Sequence, residues 1–158
     1  MIWNGGCQCG KIRFQLLRDP LVVYTCHCHD CQKQSSGSFG ISVWINTRDF
    51  RLVSGVLSIW ITQADSGVMK ECSFCADCGS RIHHAGIGGT GILSVKGGSL
   101  DEMSKLRPIA HIWMQSAQPW MRKLLDEEML FDTQPDNFSE LIRVYRAQSG
   151  NQSDIGAY

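Results

Sequence analysis

Eight cysteines gather in three tight clusters: Cys7-Gln-Cys9, Cys26-His-Cys28-His-Asp-Cys31 and Cys72-Ser-Phe-Cys75-Ala-Asp-Cys78. Side chains two apart on an extended segment share a face, so Cys-x-Cys aims both sulfurs one way. Cys-x-x-Cys presents two sulfurs to one ion across a tight turn, as in zinc ribbons. Two complete sites need eight thiolates, or seven and a ligand from outside the protein. The simplest division gives Cys7, Cys9, Cys75 and Cys78 to one closed, structural site. Two pairs far apart in sequence then clasp one ion and close a long loop, which stabilises the fold. Cys26, Cys28 and Cys31 are left for a second site. Three thiolates leave one position of a tetrahedral zinc open, the arrangement of catalytic zinc. An external thiol or a water can fill it. A rival division joins Cys28 and Cys31 to Cys75 and Cys78 as a zinc ribbon, but the stretch between them exceeds the usual roughly 15–20 residues.

Cys72 is the odd cysteine. Lying three residues before Cys75, it can be a fourth ligand that closes the central site, a redox-active thiol, or a buried small apolar residue, the common state of free cysteine. His27 and His29 sit between ligands, where they can orient a substrate, relay a proton or hydrogen-bond a ligand. In extended geometry they face away from the sulfurs of Cys26 and Cys28. His83, His84 and His111 follow elsewhere, and for each of the five a surface or satisfied core role is the simpler reading. Asp30 and Asp77 read as turn residues.

The elements that position these residues are mostly strands. Gly5-Gly6 and Gly10 allow a tight turn around the first pair. Ile12, Phe14 and Leu16 alternate with Lys11, Arg13 and Gln15, the pattern of a half-buried strand. Leu21 to Thr25 is β-branched and aromatic and leads into the second cluster; His29 to Gln34 can form one helical turn. Phe39 to Ile45, Leu57 to Ile61, Val68 to Phe74, Ser80 to His84, Ile92 to Val95 and Ile109 to Met114 read as further strands, with turns at Ser54-Gly55 and Gly97-Gly98. Gly86 to Gly91 reads as a loop. Ser99 to Lys105 suits a short helix with Ser99 as N-cap, and Pro119 to Leu125 a helix opened by proline. Asp132 to Asp136 reads as a linker. Phe138, Leu141, Ile142 and Tyr145 recur at helical spacing, so 136–147 is expected to be an amphipathic helix, and the last ten residues are expected to fray. The expected class is mainly β, with short antiparallel strands tied by metal and peripheral C-terminal helices.

Composition narrows the function. A chain of 158 residues with 43% hydrophobic and 19% charged residues is expected to be one folded domain. Net charge is zero, which gives no basic face for nucleic acid. No stretch approaches the roughly 18 apolar residues of a membrane span. The start lacks the basic and apolar regions of a secretory signal, so a reducing, cytoplasmic compartment is expected, where clustered cysteines bind metal or do chemistry. Thiolate softness favours zinc, although such ligands also suit iron or cadmium.

Gly5-Gly-Cys-Gln-Cys-Gly-Lys-Ile-Arg-Phe14, Cys26-His-Cys-His-Asp-Cys-Gln-Lys33 and Phe74-Cys-Ala-Asp-Cys-Gly-Ser80 together resemble the signature of the glutathione-dependent formaldehyde-activating enzyme (GFA) family, whose domain centromere protein V-like proteins share. Pro108-Ile-Ala-His-Ile-Trp113 and Pro119-Trp120 are similar to its C-terminal pattern. The resemblance implies a zinc-bridged β-tent spanning 1–125, with 126–158 as a C-terminal extension. It implies two zincs: a structural one on Cys7, Cys9, Cys75 and Cys78, and a catalytic one on Cys26, Cys28 and Cys31. The implied activity is that of a carbon–sulfur lyase, adding glutathione to formaldehyde to give S-hydroxymethylglutathione, with small-molecule thiol and aldehyde as partners. His27, His29 or a water would supply the proton. Cys72 departs from the pattern, because a basic residue often stands there; its loss bears on binding of an acidic thiol. Two other classes are expected alternatives: a non-catalytic zinc-stabilised interaction module using the C-terminal helix, and a thiol or redox sensor.

Overall fold

A computed structural model describes residues 1–64, 66–89, 91–125 and 129–150. The chain forms two compact units, Met1–Pro20 with Ile41–Leu106, and Leu21–Gly40 with Arg107–Tyr158. Strands dominate the first, and helix outweighs strand in the second.

In the first unit, β1 (Trp3–Gly6), β2 (Arg13–Leu16) and β5 (Phe50–Ser54) make a three-stranded antiparallel sheet in the order β1-β2-β5. A second antiparallel set runs β4-β9-β8-β7-β6, from β4 (Gly40–Asn46), β6 (Ser58–Gln63), β7 (Met69–Phe74), β8 (Arg81–Gly86) and β9 (Ile92–Lys96). The alternation predicted for Ile12, Phe14 and Leu16 holds, and all three are buried. Phe14 stacks on Phe50 with ring centroids 5.1 Å apart, and Phe50 meets the edge of His83 at 4.9 Å. The Phe14 ring is buried in the unit's core with Val43, Ile45, Ile82 and Val95, and Phe50 and His83 are half-buried. Gly5 is required by close approach: a Cβ there would lie 2.4 Å from the Phe14 ring and 2.6 Å from the Ser99 carbonyl oxygen.

In the second unit the order is β11-β10-β3, from β3 (Val22–Cys26), β10 (Ala110–Ile112) and β11 (Met129–Leu130). The all-antiparallel expectation fails here. β10 runs parallel to both neighbours, pairing His111 with Thr25 and Ile112 with Cys26. Helix α1 (His29–Ser35) follows β3, α2 (Pro119–Arg122) opens with proline, and α3 (Ser139–Ser149) ends the described chain. β3 is buried along its whole length. Tyr24 packs its ring 5.5 Å from Phe138, and Leu141 and Tyr145 of α3 are buried.

Several expectations are corrected. β1 occupies the glycines read as a turn, and β5 and β11 form where the sequence predicts no strand. Ser99 caps no α-helix: Gly97–Ser99 and Met103–Lys105 are separate 3-10 turns, and the Ser99 hydroxyl donates back to the Lys96 carbonyl at 2.7 Å. β8 runs to Gly86, into the stretch read as a loop. Of the segment expected to fray, 151–158 lies outside the described residues.

Candidate metal centres

Two sulfur clusters form, each within one unit. The Sγ atoms of Cys7, Cys9, Cys75 and Cys78 all lie within 4.8 Å of one another, as do those of Cys26, Cys28 and Cys31. Tetrahedral zinc with Zn–S near 2.3 Å needs sulfurs roughly 3.8 Å apart. Cys7 and Cys9 stand at 3.4 Å, and Cys9 and Cys75 at 3.8 Å. Both donor sets therefore fit a tetrahedral thiophilic metal, and the division into four and three matches the one expected from spacing. The zinc-ribbon division does not form.

Backbone turns build the four-sulfur cluster. The Gly10 N–H donates to the Cys7 carbonyl at 3.0 Å, and the Gly79 N–H to the Cys75 carbonyl at 2.9 Å. Both glycines close their turns at positive φ, +79° and +74°, where a side chain would be strained. The N–H of Ile12 donates to the Cys7 sulfur at 3.2 Å. Ser80 joins the two turns: its hydroxyl accepts from the Gln8 N–H at 3.0 Å and lies 3.3 Å from the Cys78 sulfur. Hydrogen bonds from the Ser80 hydroxyl and backbone hold the Cys78 thiol down at about 5, a ready thiolate. Lys11 and Asp77 form an ion pair across the turns, giving Asp77 more than the turn role expected of it.

The three-sulfur cluster is buried throughout. Cys26 ends β3. Cys28 is the N-cap of α1, its sulfur accepting from the Cys31 N–H at 3.4 Å, so the capping bond also sets the spacing of two ligands. Mutual crowding with Cys28 and then Cys31, together with burial, pushes the Cys26 thiol far up; a bound cation reverses that by deprotonating its ligands. Gln32 braces the loop, donating to the carbonyls of His27 at 2.6 Å and Ser116 at 2.9 Å while accepting from Gln118 at 3.0 Å.

The histidines part company. His29 is exposed at the start of α1. His27 is fully buried and belongs to a triangle: its Nε2 lies 3.0 Å from Nδ1 of His111, and the Thr25 hydroxyl lies 2.6 Å from His111 Nδ1 and 3.3 Å from His27 Nε2. The other ring nitrogen of His27 has no protein partner. Burial first, then His111 and Arg122 nearby, hold the His27 imidazole down at about 4. His83 and His84 lie on β8 and belong to neither sulfur cluster. Reasoning from sequence placed no site role on Thr25, Gln32 or His111. The parallel register that brings His111 beside Thr25 leaves no local signal.

Cys72 joins neither cluster. It is fully buried on β7 between its cross-strand partners Trp60 and His84.

The family model described as "Glutathione-dependent formaldehyde-activating enzyme" matches residues 2–116. No curated protein matches in sequence. Among solved structures, a crystal structure of a Rhodobacter sphaeroides protein is similar in fold, at a TM-score of 0.50 and 21% identity, covering 81% of this chain and 98% of that one.

Proposed function

The chain belongs to the glutathione-dependent formaldehyde-activating enzyme family, and from that membership and the three-sulfur cluster we propose a zinc-dependent carbon–sulfur lyase that joins a small thiol to a small aldehyde. Glutathione and formaldehyde are the pair the family's name suggests. The observation that carries the proposal is the contrast between four sulfurs in one cluster and three in the other. Four protein ligands close a tetrahedral zinc; three leave a position for an outside sulfur. A zinc held by Cys26, Cys28 and Cys31, when bound, supplies that position and keeps the incoming sulfur deprotonated.

In the addition, the substrate sulfur forms a bond to the carbonyl carbon, and the carbonyl π pair moves to oxygen. That oxygen takes the proton the thiol gave up, so nothing is oxidised or reduced. We assign proton handling to His27, with Thr25 and His111 as positioning residues. His27 is adjacent to two ligands, its Nδ1 is uncommitted, and its Nε2 is fixed by the triangle. His29, exposed at the helix start, is the weaker choice. Gln32 holds the His27 carbonyl and thereby the loop between ligands.

The proposed setting is cytoplasmic; no helix among the described residues is long and apolar enough to cross a membrane. We treat 126–158 as an extension of the family domain. The interaction-module reading loses its surface, because the apolar side of α3 is spent on its own unit through Leu141, Tyr145 and the Tyr24–Phe138 contact.

Cleavage of S-hydroxymethylglutathione by the zinc-loaded chain tests the proposal. Cys26→Ser is expected to abolish catalysed cleavage while the four-sulfur site keeps its metal. Unchanged cleavage by that variant would refute the assignment.

A further inference from the structure

Four buried polar atoms on one face of the first unit's sheet have no hydrogen-bond partner in the protein: Nε and Nη2 of Arg81, Nδ1 of His84 and Oγ of Ser94. Register explains how they meet. Cys72 on β7 pairs with His84 on β8, and His84 pairs with Ser94 on β9; such cross-strand partners share a face. Strict alternation would put Arg81 on the opposite face. A register shift prevents this: Ser73 pairs with His83, but Phe74 pairs with Arg81. β8 spends one extra residue, Ile82, and Arg81 is re-aimed to the face of Phe74 and Cys72. Its ring contacts agree. The Arg81 Cζ lies 5.5 Å from the Trp60 ring and 5.8 Å from the Phe74 ring, and Trp60 is the β6 partner of Cys72.

Buried polar groups in folded proteins are nearly always paired, and an unpaired guanidinium edge is the costliest kind to leave. Here three residues on one face of the adjacent strands β8 and β9 each leave polar atoms unpaired, and their chemistry is of one type. Nε–H and Nη2–H are the two parallel donors on one edge of the guanidinium, spaced for two oxygens of a carboxylate or phosphate. A serine hydroxyl donates, and an imidazole Nδ1 donates in one tautomer. Lys70 and Lys96 are close enough to act on His84 electrostatically. Glu71 points to the other face, paired with Ile61 and Ala85.

We propose that Arg81, His84 and Ser94 form a binding site for a small oxyanion, the carboxylate or phosphate group of a small molecule, with the Trp60 ring as its cover. Trp60 is 48% exposed on β6, the outermost strand of its sheet, so its ring can turn aside without moving another strand. The site does not rest on the lyase reading.

Calorimetric titration of the zinc-loaded full chain with sodium acetate, and separately with sodium phosphate, tests it at fixed ionic strength. Saturable binding of either anion, with a change in tryptophan fluorescence, is expected. Acetate alone assigns a carboxylate, and phosphate alone a tetrahedral anion. Arg81→Lys keeps the charge and loses the paired donors, so binding should weaken about tenfold or more; Ser94→Ala should weaken it about threefold. Trp60→Phe should reduce the fluorescence change, leaving the share of Trp44, the β4 partner of Ser94, and keep the heat. Should Arg81→Lys fail to fold, judged by zinc content and circular dichroism, Ser94→Ala decides. Saturation by neither anion, or wild-type affinity in the folded variants, would overturn the site and leave ordered water as the partner of these atoms.

Discussion

Nε2 of His27 lies 3.0 Å from Nδ1 of His111, two rings brought together from 84 residues apart by the parallel pairing of β3 and β10. One nitrogen of such a pair must donate and the other accept, so His111 sets the tautomer His27 presents beside the sulfur cluster. His27→Gln is expected to lower kcat for adduct cleavage about a hundredfold, in the range of general acid–base contributions. His111→Gln should lower kcat about tenfold with KM unchanged and displace the pH–rate profile. Both variants should keep their full metal content. Loss of metal with loss of rate would make the pair a scaffold for the ligands instead.

The half-buried His83 predicts an acid weakness in the first unit. Burial holds its imidazole down at about 4, against an ordinary 6.5. The unfolded chain therefore takes up this proton first as pH falls. The stability linked to neutral His83 is complete above pH 6.5 and is lost as pH drops toward 4, amounting to about 2 kcal/mol by pH 5. His83→Phe cannot be protonated and can still pack against Phe50. Denaturant midpoints of the two proteins, compared from pH 7 to 5, should diverge, with wild type losing more. Parallel curves would show that His83 is charged in the fold.

Cys7 and Cys72 should behave oppositely. Cys7→Ser removes a ligand from the cluster that ties the N-terminal turn to the Cys75–Cys78 turn, so one metal per chain should be lost along with several kcal/mol of stability. Cys72 touches neither cluster, and Cys72→Ala should cost about 1 kcal/mol and keep both metals. Metal analysis of the purified variants decides; a metal lost from Cys72→Ala would make that cysteine a ligand.

The sulfur sites were readable in the sequence because ligand spacing is a local property. Cys-x-Cys and Cys-x-x-Cys constrain geometry within one turn, and the four-and-three division needed little more. What was missed is non-local. β5 is almost wholly exposed, so it carries no alternation to detect, and β1 is half glycine. The placement of His111 against Thr25 depends on a parallel register across 86 residues. Arg81 reaches its face through a bulge that no pattern of residue types announces. Ser99 shows the reverse error, a good capping residue whose hydroxyl is used by a different turn.

The C-terminal helix is expected to be part of the fold. Leu141 is fully buried where α3 packs in the second unit, so Leu141→Ala should cost about 2–5 kcal/mol, read from chemical denaturation. An exposed docking helix would lose almost nothing.

X-ray absorption at the zinc edge of the two-zinc chain tests the open coordination position most directly. With one closed and one open site, the mean shell without added thiol should hold about three and a half sulfurs per zinc, and glutathione should raise it to about four. Four sulfurs per zinc from the start, unmoved by thiol, would mean that the second site is closed and would contradict the lyase account.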